Sequence, residues 1–224
     1  LDAASPADRK EAELKAIETW KRIAAIRPND PALAVQVADA CRHAALLSSP
    51  LSPSSGRGAG GEGSSPLLST AEDFYREAIR RAPTAAEYHE YLGEFLHSIG
   101  RKYDAVAAWA KLAAPPGDSA DNWHRLAEIY ARFDFFEEAV AAGEKSLELR
   151  PDDFDYRISQ IQWFLKQQDF EKAMTQLAHL DRLADDALLE ERALQRRAEV
   201  TIAANRADDE IKKLQSGLES GAGS

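Results

Sequence analysis

The sequence has little cysteine and methionine, no long hydrophobic run and no surplus of basic residues. Cys41 is the only cysteine in 224 residues, so an internal disulfide and a cysteine zinc cluster are both excluded. No stretch reaches the length of about 18 apolar residues that spans a bilayer, so we expect no membrane insertion. Acidic residues outnumber basic ones by 38 to 28, and a net charge of -10 disfavours nucleic acid as a partner because phosphates are repelled.

The composition is otherwise that of a globular protein, with 44% hydrophobic and 29% charged residues. The chain begins at Leu1 and shows no basic-then-apolar signal segment. We therefore expect a piece of a longer protein. This leaves its compartment open, with the cytoplasm favoured.

A 34-residue period runs through the chain. Four alanines recur at this interval: Ala71, Ala105, Ala139 and Ala173. Leu92 and Leu126 are separated by the same number of residues, and so are Phe136 and Phe170. Agreement between independent positions indicates repeated structural units.

Each unit contains two segments of about a dozen residues with apolar positions three and four apart, which is typical of amphipathic helices. Small residues such as Gly93 and Ala127 stand where two helices must approach closely. Pro83 and Pro151 follow helical runs and end them, because proline lacks a donor and clashes with the preceding turn. The pattern predicts an all-α protein.

One unit is clearest, and its key positions are Trp123, Leu126, Ala127, Tyr130, Ala139 and Pro151. It resembles the tetratricopeptide repeat, whose pattern is Trp-x-x-Leu-Gly-x-x-Tyr, a central Ala and a closing Pro. Ala127 replaces the family Gly, Gly143 stands where a large aromatic is usual, and Gln160-Ile161 replaces Leu-Gly in the next unit. The resemblance implies a right-handed α-solenoid of stacked antiparallel helix pairs.

The period divides the chain into a single solenoid over residues 1–219. Its parts are a half repeat at 6–28, full repeats at 31–85, 86–119, 120–153 and 154–187, and a capping helix pair at 187–219, before a flexible tail at 220–224. The first full repeat holds a Gly-, Ser- and Pro-rich insertion, 48–66, that we expect to be disordered. Charged residues of the cap are predicted to form a solvated outer face: Glu190, Glu191, Arg192, Arg196, Arg197, Lys212 and Lys213.

No pattern for catalysis emerges, so we predict neither an enzyme nor a cofactor. The glycine-rich stretch has no Lys-Ser/Thr after it, and no Gly-x-Ser-x-Gly motif occurs. Cys41 falls at a core position. His97 and His124 lie on first helices, but zinc needs three or four convergent ligands, so no metal site is predicted. The four tryptophans lie mainly at packing positions.

The resemblance implies that the first helix of each pair lines a concave groove that binds an extended peptide or a partner helix. Transferred position by position, the groove residues are Asp39, Arg42, His43, Glu87, Glu90, Glu94, His97, Asp121, His124, Glu128, Arg132, Asp155, Ile158, Gln162, Leu165 and Lys166. The Lys/Asn/Arg clamp with which some family members hold a terminal carboxylate is absent.

The predicted function is that of a protein-interaction scaffold or adaptor. The acidic middle of the groove, from Glu87 to Glu128, favours a basic ligand, although a merely solvated acidic face is an equal alternative. The chain is alternatively the regulatory repeat arm of a larger enzyme. An apolar stripe from Ile17 to Ile26, without the first helix of its pair, also allows self-association through the amino end.

Overall fold

A computed structural model describes residues 6–48 and 65–221, and all the regular structure in these ranges is helical. The predicted all-α class is confirmed. The helices are α1 Pro6–Ile26, α2 Pro31–Ser48, α3 Pro66–Arg81, α4 Ala86–Ser98, α5 Lys102–Trp109, a 3-10 helix Ala110–Ala113, α6 Ala120–Arg132, α7 Phe136–Leu149, α8 Phe154–Lys166, α9 Phe170–Leu183 and α10 Ala187–Gly221. α4, α6 and α8 begin at the first residue of the predicted repeats at 86, 120 and 154.

Side-chain caps fix where several helices begin. Ser119 accepts a hydrogen bond from the backbone N–H of Asn122 at the start of α6. Asp153 does the same for Tyr156 at the start of α8. Because the first N–H groups of a helix have no partner within it, such caps stabilise each start by about 1 kcal/mol.

The turns within the helix pairs repeat every 34 residues. Gly100, Asp134 and Gln168 each have a left-handed backbone, with φ of 83°, 64° and 60°. The residue after each turn donates its N–H back into the preceding helix, as in a Schellman cap. These bonds, all 2.9 Å long, run from Arg101 to Leu96, from Phe135 to Tyr130 and from Asp169 to Phe164. Identical turn geometry at one interval shows that the units are structural repeats.

Close contacts between helices explain why positions 93 and 143 are glycine. A Cβ on Gly93 would lie 2.1 Å from Nε1 of the fully buried Trp109, whose indole N–H donates to the backbone oxygen of Glu90. A Cβ on Gly143 would lie 2.0 Å from Oε1 of Gln160 and 2.5 Å from the Trp163 ring. The large aromatic usual at position 143 is absent because side chains from α8 already fill that space.

The helices form two compact units, Leu1–Gly117 and Asp118–Ser224, where the sequence predicted a single domain. We call them unit 1 and unit 2. The boundary follows the shortest helix pair, in which α5 has eight residues and continues as a 3-10 helix. Pro115 and Pro116 come next, and because two successive residues lack a backbone donor the helix cannot continue. The superhelix predicted across the whole chain stays a prediction.

The carboxyl-terminal pair predicted at 187–219 is instead one helix, α10, of 35 residues. No glycine or proline occurs between Ala187 and Ser216, so nothing in that stretch ends a helix. α10 also extends into the predicted tail, to Gly221. Residues 49–64 of the predicted insertion and 222–224 of the tail lie outside the described residues.

Candidate functional site

In unit 2 the first helices α6 and α8 lie in contact, and α10 packs against α8. At their centre the imidazole of His124 stacks on the ring of Tyr156, with centroids 4.0 Å apart and planes 14° apart. Trp163 lies on the same side, 5.9 Å from His124. The three rings form what we call the aromatic cluster of unit 2.

His124 is mostly enclosed by this cluster. Burial, opposed by the nearby carboxylates of which Glu128 is the first, lowers the pKa of His124 below its ordinary value. Its Nε2 lies 3.5 Å from Oε1 of Glu128, and its buried Nδ1 has no hydrogen-bond partner among the described residues. The ring is therefore neutral at neutral pH and serves as a flat packing surface.

An ion pair closes one end of the cluster. Arg150, directly after α7, donates to both carboxylate oxygens of Asp121 at 2.7 and 2.6 Å, and the Tyr156 hydroxyl donates to the same group at 2.6 Å. The bond from Tyr156 and then that from Arg150 lower the pKa of Asp121. Burial and the bond to Asp121 raise the pKa of Tyr156 to about 12. Asp121 is thus ionised but already paired.

Three arginines of α10 contact neighbouring helices: Arg192 and Arg196 contact α8, and Arg197 contacts α9. Arg192 donates to Asp155 and lies 5.0 Å over the Phe154 ring. The Gln162 amide, oriented with its oxygen towards Arg196, accepts from it at 2.9 and 3.2 Å. The side chain of Arg192 is 37% exposed and that of Arg196 is 18% exposed, and the solvated outer face predicted for the cap stays a prediction. Arg197 likewise donates to Asp181 of α9.

The other end of the face opens into a cleft of about 550 Å³ beside Trp163. Four predicted groove residues lie there: Arg132, Gln162, Leu165 and Lys166. Arg132 and Lys166 are exposed cations, while Leu165 is half-buried. This cleft is the open part of the first-helix face of unit 2.

In unit 1 the corresponding face is carried by α2 and α4, and α3 packs on both. Asp39 accepts from the Tyr75 hydroxyl at 2.6 Å and lies 3.5 Å from Arg42. His43 is exposed, and Glu87 and Glu94 are half-exposed. The face carries three accessible carboxylates and one arginine.

His97 completes the predicted set in unit 1, with its ring tilted against Trp109 at a centroid distance of 6.1 Å. Burial, and to a smaller extent Lys102, lower the pKa of His97. Its neutral ring packs on the core and adds no charge to the face.

At one position of the repeat, the predicted groove residues are buried. Glu90 and Ile158 are only 8% and 9% exposed, so the prediction that they line an open groove is wrong for both. They are two periods apart, with His124 between them. This position on the first helix turns towards the next helix, where it is packed.

Sequence reasoning did not identify Tyr156 or Arg150 at the face of unit 2, and it placed Arg192 and Arg196 on the cap rather than beside α8. Trp163, which was assigned to packing, is 5% exposed. Arg150 follows a second helix, and the other two arginines belong to α10. Within the described residues, no group of three or more His, Cys, Asp or Glu side chains is placed to hold a metal ion. None of the helices in these ranges combines the length and apolar character needed to cross a membrane.

No family model matches the sequence, and no curated protein matches it. Solved structures do. MamA of Desulfovibrio magneticus RS-1 is 17% identical over 83% of this chain and 89% of that chain, with a TM-score of 0.43. TTC0263, a thermophilic tetratricopeptide-repeat protein of Thermus thermophilus, is 24% identical over 66% and 71%, with a TM-score of 0.41. YrrB, described as such a repeat protein with an unusual peptide-binding site, is 13% identical over 86% and 99%, with a TM-score of 0.42.

These identities and scores support no inference about activity or partner. The fold rests instead on the helix pairs of this chain and on their left-handed turns at residues 100, 134 and 168. It is a tetratricopeptide-like repeat fold. A period of 34 residues with two helices per period is the defining geometry of that repeat.

Proposed function

We propose that this helical-repeat chain is a scaffold that binds a segment of a partner protein on its first-helix faces. The observation that carries the proposal is the open cleft of unit 2, where Arg132, Gln162, Leu165 and Lys166 lie beside the buried aromatic cluster. Tyrosine, tryptophan and arginine are the residues most enriched in protein interfaces, because they combine apolar area with polar groups at their tips. Here the exposed Arg132 lines the cleft, and the edge of the mostly buried Trp163 forms part of the same lining.

The preference for a basic ligand belongs to unit 1. Asp39, Glu87 and Glu94 lie on its first-helix face against Arg42, and Glu87 makes no ion pair with a described residue. A lysine or arginine side chain of a ligand compensates this negative charge. Since exposed charges are screened within about 10 Å at 0.1 M salt, this contribution falls as salt rises.

A peptide array probed with the full chain at low and high salt tests the proposal. We expect binding to sequences rich in lysine and arginine, with weaker signals at high salt. The double variant Glu87→Gln/Glu94→Gln should lower these signals about tenfold. Its control, Asp73→Asn/Glu144→Gln, makes the same change in net charge at exposed positions on second helices.

Equal binding to basic and neutral sequences would remove the charge preference. An array with no bound sequence at either salt concentration would remove the scaffold proposal itself. The two results are distinguishable because the first keeps binding and loses only its selectivity.

Self-association through the amino end is a second candidate. Leu14 and Ile26 of α1 are 51% and 75% exposed, while Ile17 and Ala24 of the predicted stripe are buried. Sedimentation of the full chain and of Leu14→Glu/Ile26→Lys tests it. A concentration-dependent dimer lost in the variant supports the idea, and a strict monomer removes it.

A further inference from the structure

Unit 1 has a second cleft, of about 410 Å³, on a different set of helices from its first-helix face. α3 and α5 form its walls and α4 its floor. We call it the second-helix cleft, and its lining residues are Arg76, Ile79, Arg80, His89, Leu92, Leu96, Asp104, Ala107, Ala108 and Lys111.

The cleft exists because small residues leave space between its walls. Leu92 and Leu96 are almost fully buried and form an apolar floor. On the α5 side the wall consists of Ala107 and Ala108, which have only a methyl group each, and Ile79 stands opposite on α3. An apolar side chain entering between these walls removes apolar area from water on both sides, at roughly 25 cal/mol per Å².

At one end of the cleft every charge is compensated. Arg101 donates to Glu72 at 2.5 Å and to Asp104 at 2.6 Å, so it joins α3 to α5. Glu72 also accepts from Arg76 at 2.7 Å. The carboxylates at this end therefore have their own arginines and leave little net charge for a ligand.

The other end is positive. Lys111 is exposed and makes no ion pair with a described residue. Arg80 is 63% exposed, and its ion-pair partner among the described residues is Glu77 of its own helix. His89 lines the same cleft, and burial, with a smaller contribution from Lys111, lowers the pKa of its imidazole, so the ring stays neutral. An apolar floor thus leads to an uncompensated cation.

We propose that the second-helix cleft binds an acidic segment of a partner protein, with one large apolar side chain on the Leu92–Leu96 floor and carboxylates towards Lys111 and Arg80. This partner chemistry is opposite to that proposed for the first-helix face of unit 1. The two sites therefore bind different ligands, and either proposal can fail without the other.

Fluorescence anisotropy of the full chain with two labelled peptides tests this site. The peptides share the same leucine positions, and every charged position is glutamate in one and lysine in the other. Lys111→Glu should weaken binding of the glutamate peptide about tenfold, and Ala107→Trp, which fills the cleft from an exposed helix position, should do the same.

The repeat supplies matched controls in unit 2. Ala141 and Lys145 lie one period after Ala107 and Lys111 and are both exposed on α7. Ala141→Trp and Lys145→Glu should leave the affinity for the glutamate peptide within about twofold.

Three results with the peptides and one with an oligonucleotide overturn the proposal. In the first, the glutamate peptide does not bind. In the second, it binds, but its affinity falls equally in the control variants. In the third, Lys111→Glu weakens its binding while Ala107→Trp does not, which assigns the binding to a positive patch without the apolar cleft. If a short single-stranded oligonucleotide binds in place of the peptide, and Lys111→Glu abolishes that binding, the positive patch is a phosphate-binding surface instead.

Discussion

The first-helix faces of the two units occupy equivalent repeat positions but differ in charge. In unit 1 the face holds Asp39, Glu87 and Glu94 against Arg42. In unit 2 the equivalents of Glu87 are Asp121 and Asp155, and each is bound by an arginine from elsewhere, Arg150 or Arg192. The charge of a repeat surface is therefore set by neighbouring helices as much as by the repeat position itself.

The difference extends to the packing beneath these charges. Position 90 in unit 1 is a buried glutamate, whereas its equivalent in unit 2 is His124, which stacks on Tyr156. Unit 2 thus has buried aromatic rings beside carboxylates that arginines compensate, whereas Glu87 of unit 1 makes no ion pair with a described residue. We therefore expect a basic ligand to favour the face of unit 1.

The largest loss of stability is expected at the close helix contacts, which both units have. Gly93→Ala in unit 1 and Gly143→Ala in unit 2 each place a Cβ less than 2.5 Å from a buried side chain. We expect each to reduce the free energy of unfolding by about 2–3 kcal/mol, measured by urea denaturation. Gly100→Ala is the control, since it meets no atom within 4 Å and should cost only about 1 kcal/mol through its left-handed backbone. Equal effects at positions 93 and 100 would contradict the packing.

The charge difference predicts unequal responses at equivalent positions. Glu87→Gln should weaken binding of a lysine-rich peptide about three- to fivefold, because it removes a carboxylate without an ion pair among the described residues. Asp121→Asn and Asp155→Asn, at the same repeat position, should change it less than about twofold. Isothermal titration at low salt measures all three. A larger effect in unit 2 would reverse the comparison.

Removing the arginines should make unit 2 resemble unit 1. In Arg150→Gln/Arg192→Gln, Asp121 and Asp155 lose their arginine partners, and affinity for the same peptide should rise about two- to threefold. The unfolding free energy should change by no more than about 1 kcal/mol, since these pairs are exposed. Lys145→Gln/Arg206→Gln, which removes the same charge from exposed sites, is the control. Unchanged affinity would show that the arginines do not mask the carboxylates.

The smallest expected effect is the part of the pH dependence of stability that His124 contributes in unit 2. Burial lowers the pKa of His124 in the folded chain below the value of 6.5 expected when unfolded. The unfolded chain therefore binds more protons once the pH falls below about 6.5, and stability decreases there. His124→Phe keeps a ring on Tyr156 and should show a smaller decrease between pH 7.5 and 5.5, measured by chemical denaturation. His43→Phe, an exposed histidine, is the control, and an equal slope in wild type and His124→Phe would contradict the assignment.

The sequence predicted the elements that depend on local periodicity. The 34-residue period located the starts of α4, α6 and α8, and the left-handed turn at Gly100 was marked by its glycine. The equivalent turns at Asp134 and Gln168 carry no glycine, so only their position in the repeat reveals them. The period also suggested a helix pair after residue 187, where no residue actually breaks the helix.

The site was predicted less well because it depends on which side chains meet across helices. The repeat identified which residues lie on first helices, but Glu90 and Ile158 are buried. Successive residues point about 100° apart around a helix, so a shift of one position decides whether a side chain is buried or exposed. Arg150 and Arg192 lie 29 and 37 residues from the carboxylates they bind. The three- and four-residue spacing of a single helix relates neither pair, because the partners lie on different elements.

The most direct measurement is an NMR titration of the isotope-labelled full chain with a short lysine-rich peptide at low salt. We predict that changes in backbone amide chemical shift concentrate on α2 and α4 around Asp39, Glu87 and Glu94, and that these changes disappear as salt is raised. Shift changes centred instead on Asp121 and Asp155, or no shift change at all, would contradict the proposed binding of basic peptides to unit 1.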